Sequence, residues 1–184
     1  MGALKFTREG IFAFALAIVT LALDQWSKSG ALSGFVHACP GFTPVPGGFC
    51  RIPLNNAFSL TMVWNPGMSF GLGRSHGDVS RWLFAVFAIG VAGVLAWYVR
   101  RTDKRLFATA AGLLIGGALG NVIDRFRYGA VVDFIDVSGL LGRLFPWIFN
   151  LADSAITVGA VILLLDAFLP SLRSRLDSGG EKGN

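Results

Sequence analysis

Polar and charged side chains stand at the edges of four apolar stretches in this chain of 184 residues. Two of them end the first stretch, three end the third, one lies in the loop that follows, and two open the fourth. Charged side chains at membrane depth are costly and are usually retained for function. In chain order the set is Asp24, Lys28, Asn121, Asp124, Arg125, Asp133, Asn150 and Asp153.

Two aspartates of this set are the most costly to bury. Asp133 lies among valine and phenylalanine in the run AVVDFIDV, where a carboxylate needs partners. Asp136 in the same run is the competing candidate, and we expect it to be more exposed. Asp153 lies about one turn into the fourth stretch, where it could be no more than an acid near a helix N-terminus that Asn150 caps.

The chemistry that Asp133 and Asp153 favour is hydrolysis by paired carboxylates. If the two meet, their like charges in a low dielectric leave the pair sharing one proton. One carboxylate could then activate a water molecule while the other protonates a leaving amine. The sequence has no serine, histidine and aspartate in a recognisable catalytic order, no histidine cluster for zinc and no Walker loop.

The remaining charged residues have simpler explanations when each is taken alone. Asp24 and Lys28 are four residues apart, as in an ion pair on a helix surface, and Lys28 could reach toward the membrane interface. Asn121, Asp124 and Arg125 also share one helix face, where the two charged residues could anchor the helix end. Arg125 offers a planar fork of donors that suits a carboxylate or a backbone carbonyl.

The elements that must position these residues are membrane helices. The chain is 53% hydrophobic and only 15% charged, which is typical of a small polytopic membrane protein. Stretches of about 18 residues or more are long enough to cross a ~30 Å hydrocarbon core. We expect a single all-α membrane domain over residues 1–184, with four transmembrane helices and a small extracytoplasmic β-region. The predicted spans are residues 10–27, 82–99, 106–123 and 151–169.

Lysine and arginine predict the orientation. They crowd before the first span, in the short link between spans two and three, and after the fourth, which marks these segments as cytoplasmic. Both termini are therefore expected inside, with residues 29–80 and 126–147 outside and a disordered polar tail over 171–184. The net charge of +5 is mostly this topology signal and could favour anionic lipid, whereas nothing indicates nucleic acid.

The first outer segment is the irregular part of the chain. Its proline- and glycine-rich run from Pro40 to Pro53 predicts turns, and the run AFSLTMVW from Ala57 to Trp64 predicts a strand. Cys39 and Cys50 both lie in this segment, where either a disulfide or two free thiols is possible. In the third span, small residues such as Gly116 and Gly120 lie four apart and predict close helix packing.

Several long motifs resemble the lipoprotein signal peptidases, also called the signal peptidase II family. The run GGALGNVIDRFRYGAVVDFIDV, residues 116–137, and the run FNLADSAI, residues 149–156, carry the resemblance most strongly. LDQWSK, residues 23–28, and NPGMSFG, residues 65–71, match two earlier motifs of the family. The match spans residues of about 10 to 170 in the right order, and only the segment 34–55 is longer and richer in proline and cysteine than the family pattern.

The resemblance implies an aspartic endopeptidase of the bacterial inner membrane that works without metal or cofactor, and we expect a monomer. Its partners would be membrane lipid and diacylglyceryl-modified prolipoproteins, whose signal peptides it would cut just before the lipidated cysteine. It carries the catalytic roles to Asp133 and Asp153, whereas the spacing of Asp124 to Arg125 favours a structural role for Asp124. The supporting and substrate-facing positions would be Asp24, Lys28, Asn65, Gly67, Asn121, Asp124, Arg125 and Asn150.

Two other classes of protein compete with a peptidase. A transporter or proton-coupled channel would use membrane carboxylates as proton relays, but it is expected to place them near the midplane and to show repeated halves. Here the carboxylates cluster at one interface, apart from Asp166 deeper in span four, which a helix contact or a reach toward the cytosolic side explains, and no repeat is visible. A binding or scaffold protein of the envelope would not need paired acids.

Overall fold

The computed structural model describes residues 6–67, 77–142 and 148–180. Helices dominate, and short strands lie between them. In chain order the elements are α1 (Arg8–Ala38), β1 (Arg51–Pro53), β2 (Ser59–Asn65), α2 (Gly77–Val99), α3 (Arg105–Tyr128), β3 (Val131–Asp136), α4 (Ser138–Leu141), β4 (Ile148–Phe149) and α5 (Leu151–Gly180).

Four of the helices are long and apolar enough to cross a membrane, as the sequence predicts. α3 is the central one, because its glycines let neighbouring helices come close on two sides. A Cβ atom on Gly116 would lie 2.6 Å from the carbonyl oxygen of Ala17 in α1, and one on Gly117 would lie 2.6 Å from that of Ala152 in α5. The predicted close packing at the small residues of span three is therefore confirmed.

The four strands form one antiparallel sheet in the order β1-β2-β3-β4. β2 confirms the strand predicted in the first outer segment. β3 differs from the expectation, because the run that contains Asp133 is a strand paired with β2 and not a loop. The β-branched valines and isoleucine and the phenylalanine of that run suit a pleated sheet whose strand is almost wholly buried.

α1 continues eleven residues beyond the predicted end of the first span, to Ala38. The extension is helical because its apolar residues cover the sheet: Leu32 and Phe35 are buried in one cluster with Met62 and Phe134. A disulfide between Cys39 and Cys50 joins the end of α1 to the start of β1, with 6.2 Å between the two Cα atoms. This bond decides between the two states that the cysteine spacing leaves open.

Both ends of α5 can be compared with the prediction. The helix begins at Leu151, as expected, and Asn150 is its N-cap because the side-chain Oδ1 accepts the N–H of Asp153 at 2.9 Å. Its other end is different, because the helix passes Pro170 and continues to Gly180, so most of the expected disordered tail is helical. The prediction gave too much weight to the proline and too little to the helix-forming leucines and arginines that follow it.

Candidate active site

Asp133 lies on β3 with each carboxylate oxygen held by an asparagine. Oδ1 accepts from Nδ2 of Asn150 at 2.7 Å, and Oδ2 accepts from Nδ2 of Asn65 at 3.0 Å. The strand is shifted in register here, because three steps along β2 from Leu60 to Val63 correspond to two steps along β3. Such bulges re-aim side chains beside functional sites. Asp133 is consequently buried, with 2% of its surface exposed.

Asp153 lies in the first turn of α5 and is held in the same way. Oδ1 accepts from Nδ2 of Asn121 at 2.8 Å, and Oδ2 accepts from the backbone N–H of Asn150 at 3.2 Å. Together with the cap bond from the N–H of Asp153 to Asn150, this is a reciprocal capping box. Asn150 therefore contacts both aspartates, and unlike Asp133, Asp153 is partly open to its surroundings.

Burial and the nearby charge of Asp153 raise the pKa of Asp133 from its usual value of 3.8 to about 7. The hydrogen bonds from Asn65 and Asn150 and the positive charge of Lys28 act in the opposite direction without cancelling these effects. A carboxyl that is protonated near neutral pH beside a second carboxyl is the arrangement that general acid–base catalysis requires.

Asp136, the competing candidate, is only slightly more exposed than Asp133. With 4% of its surface exposed against 2% for Asp133, both are buried, so exposure does not separate them. The two aspartates differ in their partners instead. Burial raises the pKa of Asp136, but hydrogen bonds from Ser138 and Thr61 together with the charge of Arg51 outweigh it and lower that pKa. Asp136 is therefore a stable, ionised part of the sheet.

Asp24 and Lys28 correct an expectation, because they do not form the ion pair on a helix surface that their spacing suggests. Both are buried, and Nζ of Lys28 lies 2.8 Å from Oδ2 of Asp24, 2.8 Å from Oδ2 of Asp124 and 3.0 Å from Oδ1 of Asn121. The three donors of the ammonium group thus have three acceptors. Breaking such a buried pair from one side typically costs about 3–5 kcal/mol, compared with a few tenths for a surface pair.

Arg125 and Gly67 are hydrogen-bonded to two asparagines of this network. Nη1 of Arg125 donates to the carbonyl oxygen of Asn121 at 3.1 Å, while its buried Nε has no hydrogen-bond partner among the residues that the structure describes. Gly67 donates its N–H to Oδ1 of Asn65 at 2.8 Å. It has a φ of +94°, which favours glycine, and a Cβ there would lie 2.7 Å from the ring of Phe84.

The structure brings together all ten residues that the sequence selected, within one network of hydrogen bonds and ion pairs. Within the described ranges 6–67, 77–142 and 148–180, no group of three or more His, Cys, Asp or Glu residues could hold a metal ion. Residues 68–71, the second half of the NPGMSFG motif, lie outside the described residues.

Comparison with known proteins identifies the family of this chain. A family model described as signal peptidase (SPase) II matches residues 16–169. The chain belongs to the signal peptidase II family. It is 49% identical to a lipoprotein signal peptidase of Caulobacter vibrioides over 92% of this chain and 94% of that protein. A lipoprotein signal peptidase of Burkholderia vietnamiensis is 40% identical over 82% and 84% of the two chains.

Solved structures agree with this membership of the signal peptidase II family. A bacterial membrane enzyme solved by the in meso method at 1.9 Å resolution superposes with a TM-score of 0.66 at 26% identity, over 90% of this chain and 97% of the other. A second such structure, at 2.3 Å resolution, gives a TM-score of 0.65 over 88% and 89%. The chain is therefore a protease with four apolar helices, and family and helices together indicate the bacterial inner membrane.

One residue of this polar network was missed by the sequence reasoning. Nε2 of Gln25 lies 3.0 Å from Oδ1 of Asp124 and 3.2 Å from Oδ2 of Asp24, so it bridges the two carboxylates. Gln25 is inside the LDQWSK motif, but an uncharged residue in a membrane helix gives little signal by itself. Its position next to Asp24 could have drawn attention to it.

Proposed function

We propose that this protein is an aspartic endopeptidase that uses Asp133 and Asp153 to remove signal peptides from diacylglyceryl-modified prolipoproteins. The observation that carries the proposal is the arrangement of the two carboxyl groups. They come from different elements, they share Asn150 as a partner, and the pKa of Asp133 is raised to about 7 by burial and by Asp153. Paired acids of this kind activate water without a nucleophilic side chain.

In the proposed reaction, the two carboxyl groups of the dyad begin with one proton between them. The ionised carboxylate takes a proton from water, and the oxygen of that water bonds to the carbonyl carbon of the scissile peptide. The protonated carboxyl donates to the carbonyl oxygen, so that a neutral tetrahedral diol forms. The C–N bond then breaks as one carboxyl donates its proton to the nitrogen and the other carboxylate takes a proton from a hydroxyl of the diol, so that a carboxylic acid and an amine are released. The dyad finishes with the one proton with which it began.

An apolar groove of about 250 Å³ supports a membrane-embedded substrate. Its walls come from α2, α3 and α5, and its polar end is formed by Asn121, which binds Asp153, and by Arg125. A hydrophobic peptide segment lying in this groove would bring a backbone carbonyl within reach of the Arg125 guanidinium. The lining residues are Phe84, Phe87, Ala88, Val91, Leu114, Ala118, Asn121, Arg125 and Ile156.

The substrate class rests on the relatives, which are named lipoprotein signal peptidases and match most of this chain. From that name we infer a prolipoprotein substrate and cleavage before the lipidated cysteine. The groove supports the inference because an acylated substrate enters a site from the lipid phase more readily than from water.

The deciding experiment measures cleavage of a lipidated precursor by purified protein in detergent. Asp133→Asn and Asp153→Asn should each abolish cleavage, because an amide can neither accept nor donate the required proton. Asp136→Asn is the matched control, since it removes a buried carboxylate three residues along the same strand. The control should retain substantial activity, and a fully active Asp133→Asn variant would refute the dyad.

A further inference from the structure

A buried triad of Asp24, Lys28 and Asp124 lies next to the proposed catalytic pair. None of the three is more than 3% exposed. The ammonium of Lys28 lies 2.8 Å from a carboxylate oxygen of each aspartate, so one cation joins helix α1 to helix α3. Three formal charges in so dry a place are costly to maintain, and a surface ion pair would join the two helices with less desolvation.

Each carboxylate of the triad also holds one backbone N–H outside its own helix. Oδ1 of Asp24 accepts from the N–H of Ala152 at 2.9 Å, and Oδ2 of Asp124 accepts from the N–H of Val132 at 3.1 Å. Ala152 immediately precedes Asp153, and Val132 immediately precedes Asp133. The two carboxylates therefore hold the chain one residue before each member of the catalytic pair.

We propose that the triad is a positioning device that sets the separation of Asp133 and Asp153. The proposal rests on the proposed function, because it concerns the geometry of that same pair. The two backbone contacts share one cation, so β3 and the start of α5 cannot move apart without stretching a bond to Lys28. Consecutive Cα atoms are only 3.8 Å apart, which leaves little freedom between each held N–H and the neighbouring aspartate.

Two further contacts fix the triad itself. Gln25 donates from Nε2 toward a carboxylate oxygen of both Asp24 and Asp124, at 3.2 and 3.0 Å. Asn121 accepts from Lys28 and donates to Asp153, so a single residue connects the cation to the catalytic pair. These contacts stabilise the two carboxylates close to one another, although their like charges would separate them.

The alternative is that the triad only holds the helices together. Positioning and simple stability differ in what they do to the transition state. A misplaced pair loses interactions made only in the transition state, which lowers kcat and leaves KM nearly unchanged. A loss of folded protein also lowers the apparent kcat at unchanged KM, so kcat is expressed per folded molecule, and simple stability then leaves that kcat and the affinity for a transition-state analogue unchanged.

The test is Lys28→Met, which keeps an unbranched side chain only one atom shorter and removes the cation. We expect kcat to fall about 10²-fold, because a shift of about 1 Å in a catalytic group can cost that much. KM should change by less than about threefold, the sign that substrate binding is intact. Asp136→Asn is the control, since it removes a buried carboxylate of the sheet that makes none of the triad's contacts.

A second measurement uses a peptide in which a hydroxyl-bearing tetrahedral carbon replaces the scissile carbonyl. Such a compound contacts both carboxyls, so its affinity should fall in proportion to kcat/KM in Lys28→Met. If Lys28→Met does not fold, Gln25→Leu replaces it, since this change keeps all three charges and removes only the bridging amide. The same pattern with a smaller loss is then expected.

Each outcome decides the question. Selective loss of kcat and of analogue affinity supports positioning. Unchanged kcat, or a parallel loss of substrate and analogue binding in the variant that folds, overturns it. If Asp133→Asn or Asp153→Asn remains active, the proposed function itself fails. If both are inactive while Lys28→Met is normal, only the positioning role fails.

Discussion

The two carboxyl groups of the proposed dyad differ in burial and in hydrogen-bond partners. Asp133 is buried between two asparagines, whereas Asp153 caps a helix and is partly open. Because burial and the charge of Asp153 raise the pKa of Asp133 to about 7, Asp133 is the member that holds the shared proton near neutral pH. In the proposed mechanism, this is the proton that Asp133 donates to the substrate carbonyl.

This pKa predicts how activity depends on pH. Below pH of about 7 Asp133 keeps its proton, and above it Asp133 loses that proton and can no longer act as the general acid. We therefore expect kcat/KM to fall about tenfold per pH unit on the alkaline side, as for the loss of one essential proton. Steady-state cleavage across a pH series measures it. A rate that is flat well above pH 7 would contradict the assignment.

The same proton can be observed without turnover. The infrared carbonyl band of a protonated carboxyl should titrate near pH 7 in the wild type and disappear in Asp133→Asn. In Asp153→Asn the band should titrate at lower pH, because removing the neighbouring negative charge lowers the pKa of Asp133. An unshifted band in Asp153→Asn would show that the two groups do not interact.

Single residues differ in how far the sequence could predict them. Asp133 and Asp153 were identifiable because an acid in an apolar run needs a reason to be there. The burial of Asp136 and of the Asp24–Lys28 pair was not, since burial depends on which elements cover a residue, and sequence spacing alone fits an exposed pair equally well. Gln25 was missed because its role exists only once α1 and α3 are adjacent.

At the scale of elements, the glycines of α3 determine how closely the site residues approach. Gly120 faces Asp24, and a Cβ atom on Gly120 would collide with Oδ2 of that aspartate. Gly116 has the same relation to the backbone of α1 at Ala17. The helix therefore carries small residues where α1 must come close enough for Lys28 to reach Asp124.

Gly120→Ala should consequently destabilise the protein and lower its activity. We expect a loss of about 1–3 kcal/mol from overpacking, with displacement of Asp24 from Ala152. Gly90→Ala on α2 is the control, because nothing lies within 4 Å of the Cβ position there. It should be neutral or slightly stabilising, as alanine favours helix over glycine. Thermal unfolding and cleavage are measured together, and equal behaviour of the two variants would contradict the packing argument.

The disulfide joins the extension of α1 to the sheet. Cys39 and Cys50 are 11 residues apart, and closing a loop of this size typically stabilises a protein by about 2–4 kcal/mol. Replacing both cysteines by serine should lower the melting temperature, and a reductant should do so in the wild type but not in the double variant. A reductant effect that persists in the double variant would mean that the bond is not its cause.

Hydropathy predicted the four membrane helices because a segment that crosses the bilayer must satisfy its backbone hydrogen bonds internally, as a helix does. Its side chains face lipid, so the helix is also a long apolar run. The same measure could not predict that β3 is a strand or that α1 continues to Ala38. Both depend on contacts between distant segments, since Leu32 and Phe35 are held in the helix extension by the sheet that they cover.

At the scale of the whole molecule, the sheet and the polar cluster lie at one end of the helix bundle, and lysine and arginine predict that this end faces outward. A reporter fused after Arg101 should therefore be cytoplasmic, and one inserted near Pro44 should be external. The reverse result would place the cluster inside the cell, away from exported precursors.

The lipid group of the substrate is expected to help position the peptide bond from a distance. The dyad lies at the ends of spans and not at their midplane, and an apolar groove between α2, α3 and α5 leads to it. A diacylglyceryl group could therefore stay in the bilayer while the peptide bond before the lipidated cysteine reaches Asp133 and Asp153. Binding energy from such a remote group contributes to positioning the reacting bond. One precursor compared with and without its lipid, in the same detergent, tests this. We expect the unlipidated form to be cut far more slowly, chiefly through kcat/KM, whereas equal rates would show that the peptide alone supplies recognition.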